Sequence, residues 1–127
     1  MSESQPSDPL TEKIIGAAIE VHRHLGPGLL ESAYEQCLAI ELVSTGLMFD
    51  RQAAVPITYK GQTIEPGFRA DFIVEDAVLL ELKAIEKLVR IHETQVLTYL
   101  KLSGLKTGLL MNFSAMPLKA GIRRLVM

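Results

Sequence analysis

Cysteine is almost missing from this chain: Cys37 is the only one in 127 residues. A single thiol excludes an intrachain disulfide and any cysteine-built metal site, so Cys37 reads as a small apolar helix residue. Histidine is scarce too, with three in all, spaced too poorly for a histidine zinc site. Charge of one sign is not in excess. A net charge of −2 excludes strong non-specific attraction to nucleic acid, so any such contact needs a local patch. The first residues lack the basic-then-apolar order of a signal peptide, and no apolar run reaches transmembrane length. A cytoplasmic location is the resulting expectation. Internal repeats and low-complexity tracts are absent.

What is present is an ordinary globular composition. Hydrophobic residues make up 48% and charged residues 22%, enough for one domain to bury a core at this length. Residues 1–8 are expected to form a disordered polar tail and residues 9–127 a single domain. Asp8-Pro9 supplies a cap and a first-turn proline for a helix to about His24, burying Ile14, Ala17, Ala18, Val21 and Leu25. Gly26-Pro27-Gly28 ends it. A second helix is expected from about Leu30 to Thr45, stopped by Gly46. Strands follow: about Ala54 to Tyr59, a Lys60-Gly61-Gln62 turn, a short run towards Glu65, then Arg69–Val74 and Val78–Lys83. A third helix spans about Val89 to Ser103, and strands at about Thr107–Phe113 and Ile122–Val126 complete the chain. This order suits an α/β or α+β layer with helices covering a mixed sheet.

The two acid-bearing runs carry the most information. Arg69-Ala70-Asp71-Phe72-Ile73-Val74 and Val78-Leu79-Leu80-Glu81-Leu82-Lys83 are made largely of strand-forming residues, yet each holds an acid. In the first, Ala70, Phe72 and Val74 share one face. In the second, Val78, Leu80 and Leu82 share a face, and Glu81 and Lys83 emerge together on the other. Merging the apolar faces puts Phe72 opposite Leu80 across an odd loop such as Glu75-Asp76-Ala77. Asp71 then falls opposite Glu81, with Cβ atoms roughly 4.5–5.5 Å apart. A two-residue turn would leave one apolar face in water. Directly opposed acids repel, which calls for a cation or for Lys83. Such a cluster could hold a divalent ion and activate water, the chemistry of phosphodiester hydrolysis. A merely solvated face is the competing reading.

Other polar groups lie in apolar stripes. Glu31 falls near the middle of the Tyr34–Leu38–Leu42 stripe, either as a first-turn acid favoured by the helix dipole or as a reach towards the same cation. In the third helix Leu88, Val96, Leu100 and Leu102 define the buried arc. His92, Gln95 and Tyr99 fall inside it, with Gln95 and Tyr99 four apart on adjacent turns. They are either satisfied core groups or a site border, and His92 reads as structural or peripheral. Leu97 faces away from the stripe; with the C-terminal strand it leaves a homodimer open.

Gly28-Leu-Leu-Glu31-Ser-Ala-Tyr34 resembles the signature of the GxxExxY proteins of the PD-(D/E)xK nuclease superfamily. The resemblance runs on through Arg69-Ala-Asp71, Glu81-Leu-Lys83 and Gln95-Val-Leu-Thr-Tyr99. It implies a restriction-endonuclease-like α/β core, a mixed sheet flanked by helices. It further implies a site for Mg²⁺ or Mn²⁺ from Asp71 and Glu81, with Glu31 contributing from its helix. Lys83 would position or activate water, and Gln95 would support substrate or metal. Ala70 stands where superfamily relatives loosely keep a proline.

On this reading Glu31, Asp71, Glu81 and the backbone carbonyl of Leu82 are the metal ligands, and Asp71, Glu81 and Lys83 the catalytic groups. Gln95 and Tyr99 orient the substrate. Lys87, Arg90, Lys101 and Lys106 could follow a nucleic-acid backbone, DNA or RNA, or belong to a scattered solvated surface. The alternatives are a non-catalytic nucleic-acid-binding or assembly module on the same fold, and a metal- or small-ligand-binding regulator.

Overall fold

Asp8 opens the fold as a helix cap. Its Oδ1 accepts the Thr11 amide at 2.7 Å and its Oδ2 the Thr11 hydroxyl at 2.8 Å, satisfying donors that a helix start leaves free. The computed structural model describes residues 8–127 and the backbone of Ser2 and Glu3. Helix α1 (Pro9–Leu25) ends at Gly26, whose φ of 69° suits glycine. Helix α2 (Glu31–Ser44) buries Tyr34, Leu38 and Leu42. Ile14, Ala17, Ala18 and Val21 are buried as their spacing suggests, but Leu25 is 37% exposed. His22 takes the buried position instead, extending the Ile14–Ala18 stripe at i+4 and lying 6.4 Å from the Phe113 ring. Leu25, in the last turn, only borders a shallow groove with Cys37 and Ile40.

Among the described residues, one mixed sheet has the order β1-β6-β5-β4-β3-β2. Strand β1 (Ser2–Glu3) pairs with Val126 and Leu125 of β6 (Ile122–Val126). Of the tail expected over residues 1–8, Ser2 and Glu3 therefore pair in the sheet and Asp8 caps α1. Residues 1 and 4–7 lie outside the described residues. Strand β2 (Phe49–Tyr59) starts earlier than expected, and β3 (Gln62–Val74) is one long strand where two were expected. The ladder survives Pro66-Gly67 because the register shifts between Val55 and Ile57, so the extra residues bulge. Beyond Glu75-Asp76-Ala77, β4 (Val78–Lys83) returns antiparallel with Phe72 opposite Leu80. Helix α3 (Arg90–Ser103) then crosses to β5 (Thr107–Asn112), which runs parallel to β4. Such a crossover places α3 against one face of the sheet.

Helices α1 and α2 cover the face bearing Phe72, Val74, Val78, Leu80, Leu82, Leu109 and Met111. Helix α3 covers the other through Val96 and Leu100, packed with Ala70, Leu79, Leu110 and Leu125. Two expectations for α3 change. Leu102 is 38% exposed, since at 3.6 residues per turn it lies about 200° around the helix from buried Leu100. Leu97 packs against the Val96–Leu100 cluster rather than facing away, which removes the observation that pointed to a homodimer. In β3, Phe72 and Val74 join the α1–α2 side, but Ala70 joins the α3 side. Alternation fails at Asp71, where Gln52 of the neighbouring strand has φ 48° and drops out of the ladder between Arg51–Phe72 and Ala53–Ala70. Strict alternation needs uniformly extended backbone, and a left-handed residue interrupts it.

Candidate active site

Strands β3 and β4 stop pairing at Phe72–Leu80, and the acids occupy the gap that opens there. Asp71 Oδ2 accepts the Leu82 amide at 2.8 Å, and the Asp71 amide donates to Glu81 Oε1 at 3.3 Å. Each carboxylate thus replaces a ladder partner of the other strand. The carbonyl of Leu82 leaves the strand on the same side as its amide, towards β3. Asp71, Glu81 and Lys83 lie at one place, with Phe72 and Leu80 together on the α1–α2 side.

Burial there makes negative charge expensive. Glu81 is only 6% exposed; burial first, and the Asp71 charge second, push its carboxyl up to about 8. Asp71 is raised chiefly by burial and by Glu35, against the opposing pull of the Leu82 amide, Gln52 and Lys83. Glu31 is raised by partial burial and then by Asp71, while Lys83 lowers it. Three carboxyls sensing one another and one ammonium form a single electrostatic unit.

Glu31 stands at the first position of α2, and the preceding loop is tied down by Tyr34. The Tyr34 hydroxyl donates to the Gly26 carbonyl at 2.6 Å and accepts the Leu29 amide at 3.1 Å. Its ring stacks on Phe113 at 4.7 Å. Gly28, with φ 101°, supplies a conformation that side chains resist. The Gly28–Glu31–Tyr34 spacing therefore has a local physical purpose: a turn, an acid, and an anchor that sets the turn. Glu31 itself is exposed, at the rim of the Asp71–Glu81 pair.

From α3, Gln95 Oε1 accepts Lys83 Nζ at 3.3 Å and Gln95 Nε2 donates to the Tyr99 hydroxyl at 3.1 Å. Tyr99 stacks on Phe68 of β3, with centroids 4.0 Å apart. His92 Nδ1 accepts the Val89 amide at 2.9 Å, a cap on the start of α3. Lys87 and Arg90 are exposed at the end of α3 that follows Lys83, whereas exposed Lys101 lies in its last turn. Eleven residues of helix separate Arg90 from Lys101, about 16 Å. Lys106 lies past that same far end. The four basic residues therefore do not form one patch.

The model of the PD-(D/E)XK nuclease superfamily matches residues 8–125. The chain belongs to the PD-(D/E)XK nuclease superfamily. No curated protein and no solved structure matches it. The mixed sheet with helices on both faces is the α/β architecture of that superfamily's restriction-endonuclease-like domain.

Nucleases of this superfamily generally use divalent metal ions, and the donors here suit a hard cation. Asp71, Glu81 and the Leu82 carbonyl offer only oxygen, and a buried Glu81 raised by the Asp71 charge beside it calls for positive charge. Among the described residues no three His, Cys, Asp or Glu side chains form a ready cage. Magnesium is compatible with that, since it keeps waters and binds through one or two carboxylates plus substrate phosphates. Sequence reasoning passed over Gln52, which donates to Asp71, and Glu35 and Arg51, which are linked to it in turn. Glu35 had one signal, its i+4 spacing from Glu31. Gln52 had none, because nothing local marks a left-handed glutamine.

Proposed function

We propose that this superfamily member hydrolyses phosphodiester bonds in nucleic acid, DNA or RNA, with Mg²⁺ or Mn²⁺ as cofactor. The observation that supports this most is the pairing of half-buried Asp71 with buried Glu81 where β3 and β4 part, with Lys83 beside it. Asp71, Glu81 and the Leu82 carbonyl would hold the cation, with Glu31 reaching in from α2. Once bound, the cation supplies Lewis-acid polarisation of the phosphate and a more acidic water. Lys83, steadied by Gln95, stabilises the attacking hydroxide and the charge that grows on the phosphate. Gln95 directs one of its two amide hydrogens to the Tyr99 oxygen, so Tyr99 keeps its own proton to meet a phosphate oxygen. Lys87 and Arg90 track the backbone near the cut; Lys101 serves only a strand that runs the length of α3. The finer placement among the GxxExxY proteins rests on the Gly28–Glu31–Tyr34 arrangement. Among the described residues no helix is long and apolar enough to cross a membrane, and a cytoplasmic location is part of the proposal.

The second reading is a non-catalytic nucleic-acid-binding or assembly module. It is favoured by the lack of a ready three-acid cage among the described residues. Purified protein with Mg²⁺ or Mn²⁺ on labelled single- and double-stranded DNA and RNA separates the two. Cleavage that disappears in Glu81→Ala supports the enzyme. Binding without cleavage, unchanged by that substitution, supports the module.

A further inference from the structure

A second layer of side chains from α2 and β2 closes around Asp71. Gln52 Nε2 donates to Glu35 Oε1 at 2.8 Å and to Asp71 Oδ1 at 3.2 Å. A primary amide has two N–H bonds, so one nitrogen can serve both carboxylates. Glu35 Oε2 is meanwhile engaged by Arg51, through Nη2 at 3.0 Å and Nε at 3.3 Å. Arg69 Nη1 adds a contact to the Gln52 carbonyl at 3.3 Å.

This arrangement decides which way the Gln52 amide faces. An ionised Glu35 can only accept, so it selects the nitrogen end and keeps the amide oxygen away from Asp71. Arg51 offsets the charge that Glu35 brings next to a second acid. The backbone carries a matching sign. Gln52 has φ 48° and is skipped by the β2–β3 ladder. Non-glycine residues hold that conformation at a cost, and such strain gathers at functional sites.

We propose that Gln52 is a positioning residue for the Asp71 carboxylate, set by the Glu35–Arg51 pair, so that α2 serves the site through Glu35 as well as Glu31. With Gln52 on Oδ1 and the Leu82 amide on Oδ2, the carboxylate is fixed from two sides, and each oxygen keeps a lone pair for a cation. The cation part rests on the phosphodiesterase reading; the hold on Asp71 does not.

The test uses Gln52→Gly, which adopts positive φ without strain, and Gln52→Met, which keeps the length but donates nothing. Three quantities are measured: the thermal midpoint, Mn²⁺ affinity by calorimetry, and exchange of the Leu82 amide in metal-free protein by NMR. The expected result is faster Leu82 exchange in both variants, with the Gln52→Gly midpoint undiminished. Mn²⁺ affinity should fall about tenfold or more, the usual cost of losing a group that orients a ligand. Leu82 exchange identical to wild type in both variants overturns the proposal, whatever Mn²⁺ does. A midpoint lowered in Gln52→Gly as far as in Gln52→Met makes Gln52 a structural residue and also overturns it. If wild type binds no Mn²⁺, the phosphodiesterase reading falls, while Leu82 exchange still decides for or against Gln52.

Discussion

The Leu82 amide donates to the Asp71 carboxylate at 2.8 Å, across the point where β3 and β4 cease to pair. A backbone donor that would continue the ladder is instead committed to an acid side chain. The site therefore exists because the sheet opens there, and its behaviour follows from the charge collected in the gap.

Glu81 should make the metal-free protein lose stability as pH rises. Its carboxyl moves from an ordinary 4.5 to about 8 in the folded state, so between those values the folded chain holds a proton that the unfolded chain has released. That contribution is full below the unfolded value and gone above the folded one. Glu81→Gln should flatten this slope and raise the midpoint at alkaline pH by several degrees. Urea titrations at acid, neutral and alkaline pH check it; parallel profiles for the two proteins would count against buried charge at Glu81.

Mn²⁺ should stabilise wild type and leave Asp71→Asn nearly unmoved. A ligand at a hundredfold its Kd adds about 2.7 kcal/mol when only the folded state binds it. Asp71→Asn should also abolish cleavage, yet raise metal-free stability by relieving repulsion with Glu81 and Glu35. Melting curves with and without millimolar-range Mn²⁺ measure both effects. Equal shifts in the two proteins would place the ion elsewhere.

Lys83→Met should separate binding from turnover. The ammonium contacts Gln95, not a proposed ligand oxygen, at hydrogen-bond distance. Mn²⁺ affinity should hold while single-turnover cleavage falls by about 10²–10³-fold, the usual loss for a group acting on transition-state charge. A loss of cation binding as large as the loss of rate contradicts this division of roles.

Tyr34→Phe should loosen the turn that delivers Glu31. It leaves the Leu29 amide and Gly26 carbonyl without their partner, at about 1–3 kcal/mol if both stay shielded from water. Urea unfolding gives the cost, and Mn²⁺ affinity should weaken with it. A variant with wild-type stability would mean water replaces the hydroxyl.

Asp8→Ala should cost about 1 kcal/mol as a lost helix cap. The Thr11 amide leads in holding the Asp8 carboxyl below its ordinary value, with smaller help from Arg124. A depressed carboxyl contributes stability above its unfolded pKa and loses it as pH falls through the folded one. The deficit of Asp8→Ala should therefore shrink in acid, as chemical denaturation at low and neutral pH would reveal. The Arg124 pair adds little, because Asp8 is 40% exposed and water screens it.

What the sequence determined by itself came from period and parity. Helical spacing set Tyr34, Leu38 and Leu42 on one buried stripe, and the odd loop after Val74 required Phe72 to face Leu80. Those follow from local geometry and from one demand, that apolar faces meet. Parity also brought Asp71 towards Glu81, but the ladder ends at Phe72–Leu80, and the two acids meet through side chain and backbone rather than as a directly opposed pair. The tertiary structure decided what depends on neighbours distant in sequence. Pro66-Gly67 reads locally as a break, yet β3 runs through it because its own extra residues bulge opposite Pro56 of β2. Ala70 changes face because Gln52, 18 residues earlier, takes a left-handed turn opposite Asp71. His22 is buried while Leu25 is not because the layer beneath α1 places Phe113 against His22. Periodicity reports which way a side chain points along its own element; only packing between elements determines what it meets there.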